Sequence, residues 1–170
     1  MKKIFAILAV AAVAVICNNA RTVISGDVLG IEDGTIYLAE PTRNGALIDS
    51  TEIKSGKFVF NLNDEAAKHY VIRTAEEVIV SVFTEDGNIA VAGNVSNSSV
   101  EATGTPANDA FNTYNADMTL INQRYAQAAS DEEREAIYAE YEQFMNKTID
   151  DNINNIFGVI MFIQNKGYEL

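Results

Sequence analysis

Cysteine is almost missing from this chain. Cys17 is the only one among 170 residues. Beyond residue 17 there is no thiol, which excludes disulfides, thiolate nucleophiles and cysteine metal sites there. Histidine is nearly as scarce: His69 stands alone, and one histidine without cysteines is poor support for zinc. Other chemistry-bearing patterns are also lacking. No glycine-rich phosphate loop and no Gly-x-Ser-x-Gly elbow occurs. Asp86-Gly87-Asn88 is too short for a calcium loop with alternating oxygens and a terminal Glu. No apolar run reaches the roughly 20 residues that a membrane-spanning helix needs. These absences predict no metal or other cofactor and no enzymatic activity.

Positive charge is the minority sign. The chain has 12 Lys and Arg against 24 Asp and Glu, a net charge of −12. Such a surface repels nucleic-acid phosphates and anionic headgroups, so a nucleic-acid partner is not expected. Nearly half of the residues are apolar (48%), which argues for a folded core rather than disorder.

The first segment reads as an export signal, residues 1–20. Lys2 and Lys3 precede an uncharged apolar run over residues 4–16, and polar Asn18 and Asn19 follow. Two endings stay open. Cys17 after an apolar run suggests acylation, as in a bacterial lipoprotein, although Ile16 stands where a small residue is usual. The other ending is simple cleavage after a small residue, Ala14 or Ala20. Either predicts a protein in the periplasm or held on a membrane through a lipid anchor alone.

Residues 21–104 read as an antiparallel β domain of about eight short strands. Apolar, β-prone runs cover 22–30, 35–39, 46–53, 57–62, 69–74, 78–83, 88–92 and 98–102, separated by turn residues. Glu32-Asp33-Gly34, Lys54-Ser55-Gly56 and Asp86-Gly87 are hairpin signals. Phe58, Phe60 and Leu62 alternate onto one face, and Phe58, Phe60, Val80 and Val82 are expected to be buried. Residues 78–83 are apolar on both faces, which predicts a central strand covered on both sides. The fold class is therefore mainly β with α: an antiparallel β-sandwich-like or curled sheet, then a C-terminal helical hairpin.

The hairpin occupies residues 105–170 together with an apolar C-terminal segment. Thr105 can cap a helix with Pro106 at its first position. Phe111, Tyr114, Met118, Ile121 and Tyr125 then recur at helical spacing. Ser130 and Glu133 form a capping box for a second helix, with a stripe of Ile137, Tyr141, Met145, Ile149, Ile153 and Ile156. Residues 156–163 are apolar nearly all round, interrupted by Gly158. Ile156, Phe157, Ile160 and Phe162 are therefore candidates for an interaction surface, against docking into the protein's own core. That surface would meet another envelope protein or a second copy in a homo-oligomer.

The remaining candidates have plain structural explanations. Glu76-Glu77, Asp131-Glu132-Glu133 and Asp150-Asp151 are paired carboxylates, but adjacency in sequence does not place two carboxyls across a cleft. Asp131 to Glu133 suit the first turn of a helix, where negative charge complements the dipole. Tyr114, Tyr125, Tyr138 and Tyr141 fall on or beside the helical stripes, where packing competes with an aromatic cleft.

One set of motifs carries a resemblance. The run Val23-Ile24-Ser25-Gly26, then Asp33-Gly34-Thr35-Ile36-Tyr37-Leu38, Ile48-Asp49-Ser50-Thr51 and Gly56-Lys57-Phe58-Val59-Phe60 is joined by Val100 to Gly104 followed by Thr105, Asn108 and Asp109. Together they resemble a domain of unknown function of the DUF4369 type. That domain precedes thioredoxin-like AhpC/TSA or TlpA-type domains in envelope proteins of some Gram-negative bacteria. The resemblance implies a β domain with a helical linker, behind a lipoprotein-type signal. The sequence departs from that plan because it has no thioredoxin-like part and no Cys-x-x-Cys, so no oxidoreductase residue carries over. The reading is a non-catalytic envelope binding or protein-interaction module. The alternatives are an accessory part of a thiol–disulfide system beside a separately encoded thioredoxin-like protein, a shortened form of a longer oxidoreductase, and a glycan or small-ligand β module with an aromatic cleft on its sheet.

Overall fold

The computed structural model describes residues 21–42, 45–63 and 66–166. Eight strands form two sheets. They are β1 (Thr22–Leu29), β2 (Gly34–Ala39), β3 (Leu47–Ile53), β4 (Lys57–Leu62), β5 (Lys68–Arg73), β6 (Val78–Thr84), β7 (Gly87–Asn94) and β8 (Glu101–Thr103). The first sheet has the order β4-β1-β7-β8 and the second β3-β2-β5-β6. Their inner faces share one core. Ile24, Val28, Phe58, Phe60, Ile89 and Val91 come from the first sheet, and Ile36, Leu38, Ile72, Val80 and Val82 from the second. The alternation that placed Phe58, Phe60, Val80 and Val82 inside therefore holds, and the class is mainly β with α. In β1 the inward position opposite Phe58 is Gly26. A Cβ there would lie 2.0 Å from the Phe58 ring, so the ring occupies the space a side chain would take.

The turns reverse the chain where the sequence predicts, but the pairing differs from simple hairpins. Strands β1 and β2 lie in different sheets, as do β3 and β4, and β6 and β7. Each of those turns carries the chain from one sheet to the other. Strand β1 pairs with β4 antiparallel and with β7 in parallel, Ile24 opposite Ile89. A turn signal fixes a local change of direction; which strand becomes the neighbour is decided by non-local packing of the inward faces. Strand β6 is also not central. It is an edge of the second sheet. Its two apolar faces have separate causes: Val80 and Val82 point into the sandwich, and Phe83 joins a second apolar cluster with the helices.

Three helices follow: α1 (Pro106–Gln127), α2 (Asp131–Asn152) and α3 (Ile156–Lys166). The expected two-helix hairpin thus gains a third member. The stripe does not run unbroken from Ile153 to Ile156, because the chain turns at residues 153–155. There Asn155 Oδ1 accepts from the Gly158 N–H at 3.0 Å, and Asn155 Nδ2 donates to Asn152 Oδ1 at 2.9 Å. Gly158 permits this corner, since a Cβ on it would meet the Asn152 carbonyl oxygen at 2.0 Å. The second helix is capped at Ser130, whose Oγ accepts from the Glu133 N–H at 3.2 Å. The Glu133 carboxylate reaches back to the Ala129 N–H at 2.7 Å, one residue before the cap.

The start of α1 is built differently from the expectation. The Thr105 side chain makes no capping bond. A carboxylate from the strand layer takes that place: Glu85 Oε2 accepts from the Ala107 N–H at 3.0 Å. Asn108, 1% exposed, then lies against the open edge of β6. Its Oδ1 accepts from the Phe83 N–H at 3.0 Å, and its Nδ2 donates to the Phe83 carbonyl at 2.7 Å. The same Nδ2 donates to Thr105 Oγ1 at 2.7 Å. One side-chain amide therefore pairs with the strand edge as a neighbouring strand would. Asn112 Nδ2 donates to the Ala102 carbonyl of β8 at 2.8 Å, so the same helix also holds the edge of the first sheet.

Asn108→Ala leaves the Phe83 N–H and C=O buried without partners. The expected loss of stability is about 2–4 kcal/mol, read from urea unfolding. A loss near that of an exposed Asn→Ala substitution, under ~0.5 kcal/mol, would contradict this role.

Candidate functional site

The second apolar cluster fixes one end of the helical part. Phe83 sits at its middle. Its ring stacks on His69 at 4.6 Å between centroids and lies 5.1 Å from Phe111 and 5.6 Å from Phe157. Ala107, Met145, Ile149 and Met161 are the other buried members of the cluster. The segment singled out for interaction is largely spent here. Phe157 is buried, and Ile156, Ile160 and Phe162 pack half-buried against the same cluster. The apolar side chains that α3 leaves exposed are Val159 and Ile163.

The other end of the arm is different. Helices α1 and α2 are each 22 residues, about 33 Å long at 1.5 Å per residue. In α1 the fully buried residues are Ala107 and Asn108, both in the first turn. Past Met118 the two helices touch mainly each other, and Ile137 is the buried side chain of that half. Tyr125 is 48% and Tyr138 56% exposed. A groove of about 320 Å³ runs between the helices, lined by Met118, Ile121, Asn122, Tyr125, Ile137, Tyr138 and Tyr141. Three of the four helical tyrosines therefore meet in one place, with Tyr138 and Tyr141 6.0 Å apart. Tyr114 does not join them. It stacks on Phe144 at 5.8 Å, and burial, with Tyr141 nearby, pushes its hydroxyl pKa up.

The opposite side of the helix seam is polar. Arg124 forms two bonds to the Glu140 carboxylate, at 2.6 and 3.1 Å. The pair holds Glu140 below the usual carboxylate range and raises Arg124. The acidic first turn of α2 is structural in the same way: hydrogen bonds from its own backbone and from Ser130 lower the Glu132 pKa.

The other sequence candidates are placed apart. Glu76 and Glu77 lie in the β5–β6 turn, where both N–H groups donate to Thr74 Oγ1. Asp151 pairs with Lys147 at the end of α2. Among the described residues no three His, Cys, Asp or Glu side chains group as metal ligands, and no helix is long and apolar enough to cross a membrane. The outward face of the first sheet presents Ser25, Asp27, Lys57, Val59, Asn61, Ala90 and Ala92, without an aromatic ring for stacking. Cys17 and the export segment lie outside the described residues.

Two features escaped the sequence reading. Asn108 was visible only as a motif residue, because an amide in a first helical turn ordinarily faces water. The groove was visible as a stripe, but nothing local says which half of a stripe is covered.

His69 is a half-buried titratable group facing the second cluster. Its Nε2 has no hydrogen-bond partner among the described residues, and burial lowers its pKa from the usual 6.5.

Residues 22–111, just over half the chain, match the model of a family described as "Domain of unknown function (DUF4369)". The match spans both sheets and ends in α1 just after Asn108, short of the groove. No curated protein and no solved structure matches the chain.

The lowered pKa of His69 sets the sign of a pH effect. The unfolded chain takes up the proton first, so the stability that neutral His69 contributes is present above pH 6.5 and is lost as the pH falls below it. In urea unfolding between pH 8 and 5, the wild type should lose more stability on acidification than His69→Phe. Parallel profiles for the two proteins would contradict the assignment.

Proposed function

Because the chain belongs to the DUF4369 family, whose function carries no established chemistry, we propose its role from the molecule itself: a non-catalytic interaction module of the cell envelope. The β-sandwich is the scaffold. The helical arm is the part that binds, and its target is another protein. The observation that carries this reading is the uncovered apolar groove on the outer half of the arm. Two antiparallel helices can hide only the strip where they meet, and a further layer is needed to cover flanking aromatic side chains. Tyr125 and Tyr138 combine an apolar ring with a polar tip, the side-chain type enriched where proteins dock.

The address rests on Lys2, Lys3 and the apolar run that follows them, with Cys17 as the lipid anchor point or with simple cleavage nearby. Activity, if the module serves a thiol–disulfide system, would reside in a separate thioredoxin-like partner.

A photoreactive phenylalanine analogue at position 138 tests both halves of the proposal in envelopes of the producing cell. A discrete adduct is expected from position 138 and not from position 90 on the sheet face. The recovered protein is expected to start downstream of Lys3. Identical adduct patterns from both positions would overturn the groove, and a cytosolic protein retaining Lys2 and Lys3 would overturn the address.

A further inference from the structure

We infer that the groove receives a partner helix whose flank carries lysine or arginine. The inference rests on the reading of the groove as the docking site, and it adds the partner's shape and charge.

The shape follows from the lining. Met118, Ile121, Asn122 and Tyr125 form one wall at helical spacing, and Ile137, Tyr138 and Tyr141 form the other. A trough between two antiparallel helices accepts a third along its length, with apolar side chains at spacings of three and four entering it.

The charge follows from the rim. Glu135 and Glu142 lie one turn before and one turn after Tyr138, which sets them beside it on the surface of α2. Both are exposed. Neither makes an ion pair among the described residues. The basic side chains of α1 and α2 are already committed: Arg124 to Glu140, Arg134 to Asp131 and Lys147 to Asp151. Helices α1 and α2 together carry ten acidic and three basic residues, a net charge of −7. A second copy would bring the same sign to the same rim, and like charges set against each other oppose association. A basic flank instead meets carboxylates that have no competing partner, and long-range attraction speeds its approach.

Three synthetic peptides test this against the full exported protein. Each has ~18 residues, five turns of helix, and the same leucine face. Their flanks are lysine, glutamine or glutamate. Binding is followed by chemical-shift changes of the groove residues. The lysine peptide should bind, the glutamine peptide more weakly, and the glutamate peptide not at all. Replacing both rim carboxylates, Glu135→Gln with Glu142→Gln, should weaken the lysine peptide about fivefold and leave the glutamine peptide unchanged. Tyr138→Ser should weaken both. Equal affinity for all three peptides would overturn the inference while the groove reading stands. Lysine-peptide binding indifferent to both sets of substitutions would mean diffuse charge attraction, and would also overturn it. If no peptide binds, sedimentation separates the remaining cases. A dimer would assign the groove to a second copy, and a monomer would sink the groove reading itself.

Discussion

The architecture turns on one side-chain amide. Asn108 meets the N–H and C=O of Phe83 with matching acceptor and donor, and so ends the second sheet where another strand would otherwise continue it. An unpaired strand edge is a liability that proteins commonly cover. Here the cover is the first turn of a helix. The bond does two jobs because of where Phe83 sits. Its backbone belongs to β6, and its ring is the centre of the cluster that holds α1, α2 and α3. Breaking the amide contact leaves buried backbone groups unpaired and loosens the ring in the same stroke. Glu85, Asn112 and Asp109 add bonds around the same turn, so polar contacts tie the start of α1 to the strands beside the apolar cluster.

A helix fixed at its first turn behaves as a cantilever. The inner half of the arm rests on aromatic and methionine packing. The outer half depends on the seam between α1 and α2, closed on one side by Arg124 and Glu140 and open on the other. Burial alone would favour folding the arm back onto the sandwich. The charge pattern works against that: α1, α2 and the sheets are all acidic overall, and the cations of α1 and α2 are used within the helix pair. The result is an apolar groove displayed away from the core that anchors it.

Much of the sandwich was legible in residue order because its signals are local. Phe58, Phe60 and Leu62 alternate inward, with Val59 and Asn61 between them facing outward. Asp33-Gly34 and Ser55-Gly56 mark turns, and Ser130 with Glu133 marks a helix start. What escaped was non-local. No feature of β1 alone announces that its parallel neighbour is β7, more than sixty residues away. The double-sided apolar run in β6 reads as a central strand, although a helix and not a strand covers its second face. Gly158 looked like an interruption of one helix and is the corner between two. The candidate site was half legible. The tyrosine spacing was plain in sequence, but Tyr114 and Tyr125 belong to the same stripe, and only the packing of Phe144 and Phe157 separates a core ring from an exposed one.

The central claim is that the arm is clamped at Asn108 and free of tertiary support beyond Met118. Residue-resolved amide hydrogen exchange of the folded protein measures that directly. The account predicts that the Phe83 amide exchanges among the slowest in the chain, with amides of residues 120–140 exchanging far faster through local opening. A freely exchanging Phe83 amide, or protection of residues 120–140 equal to that of the sandwich core, would contradict it.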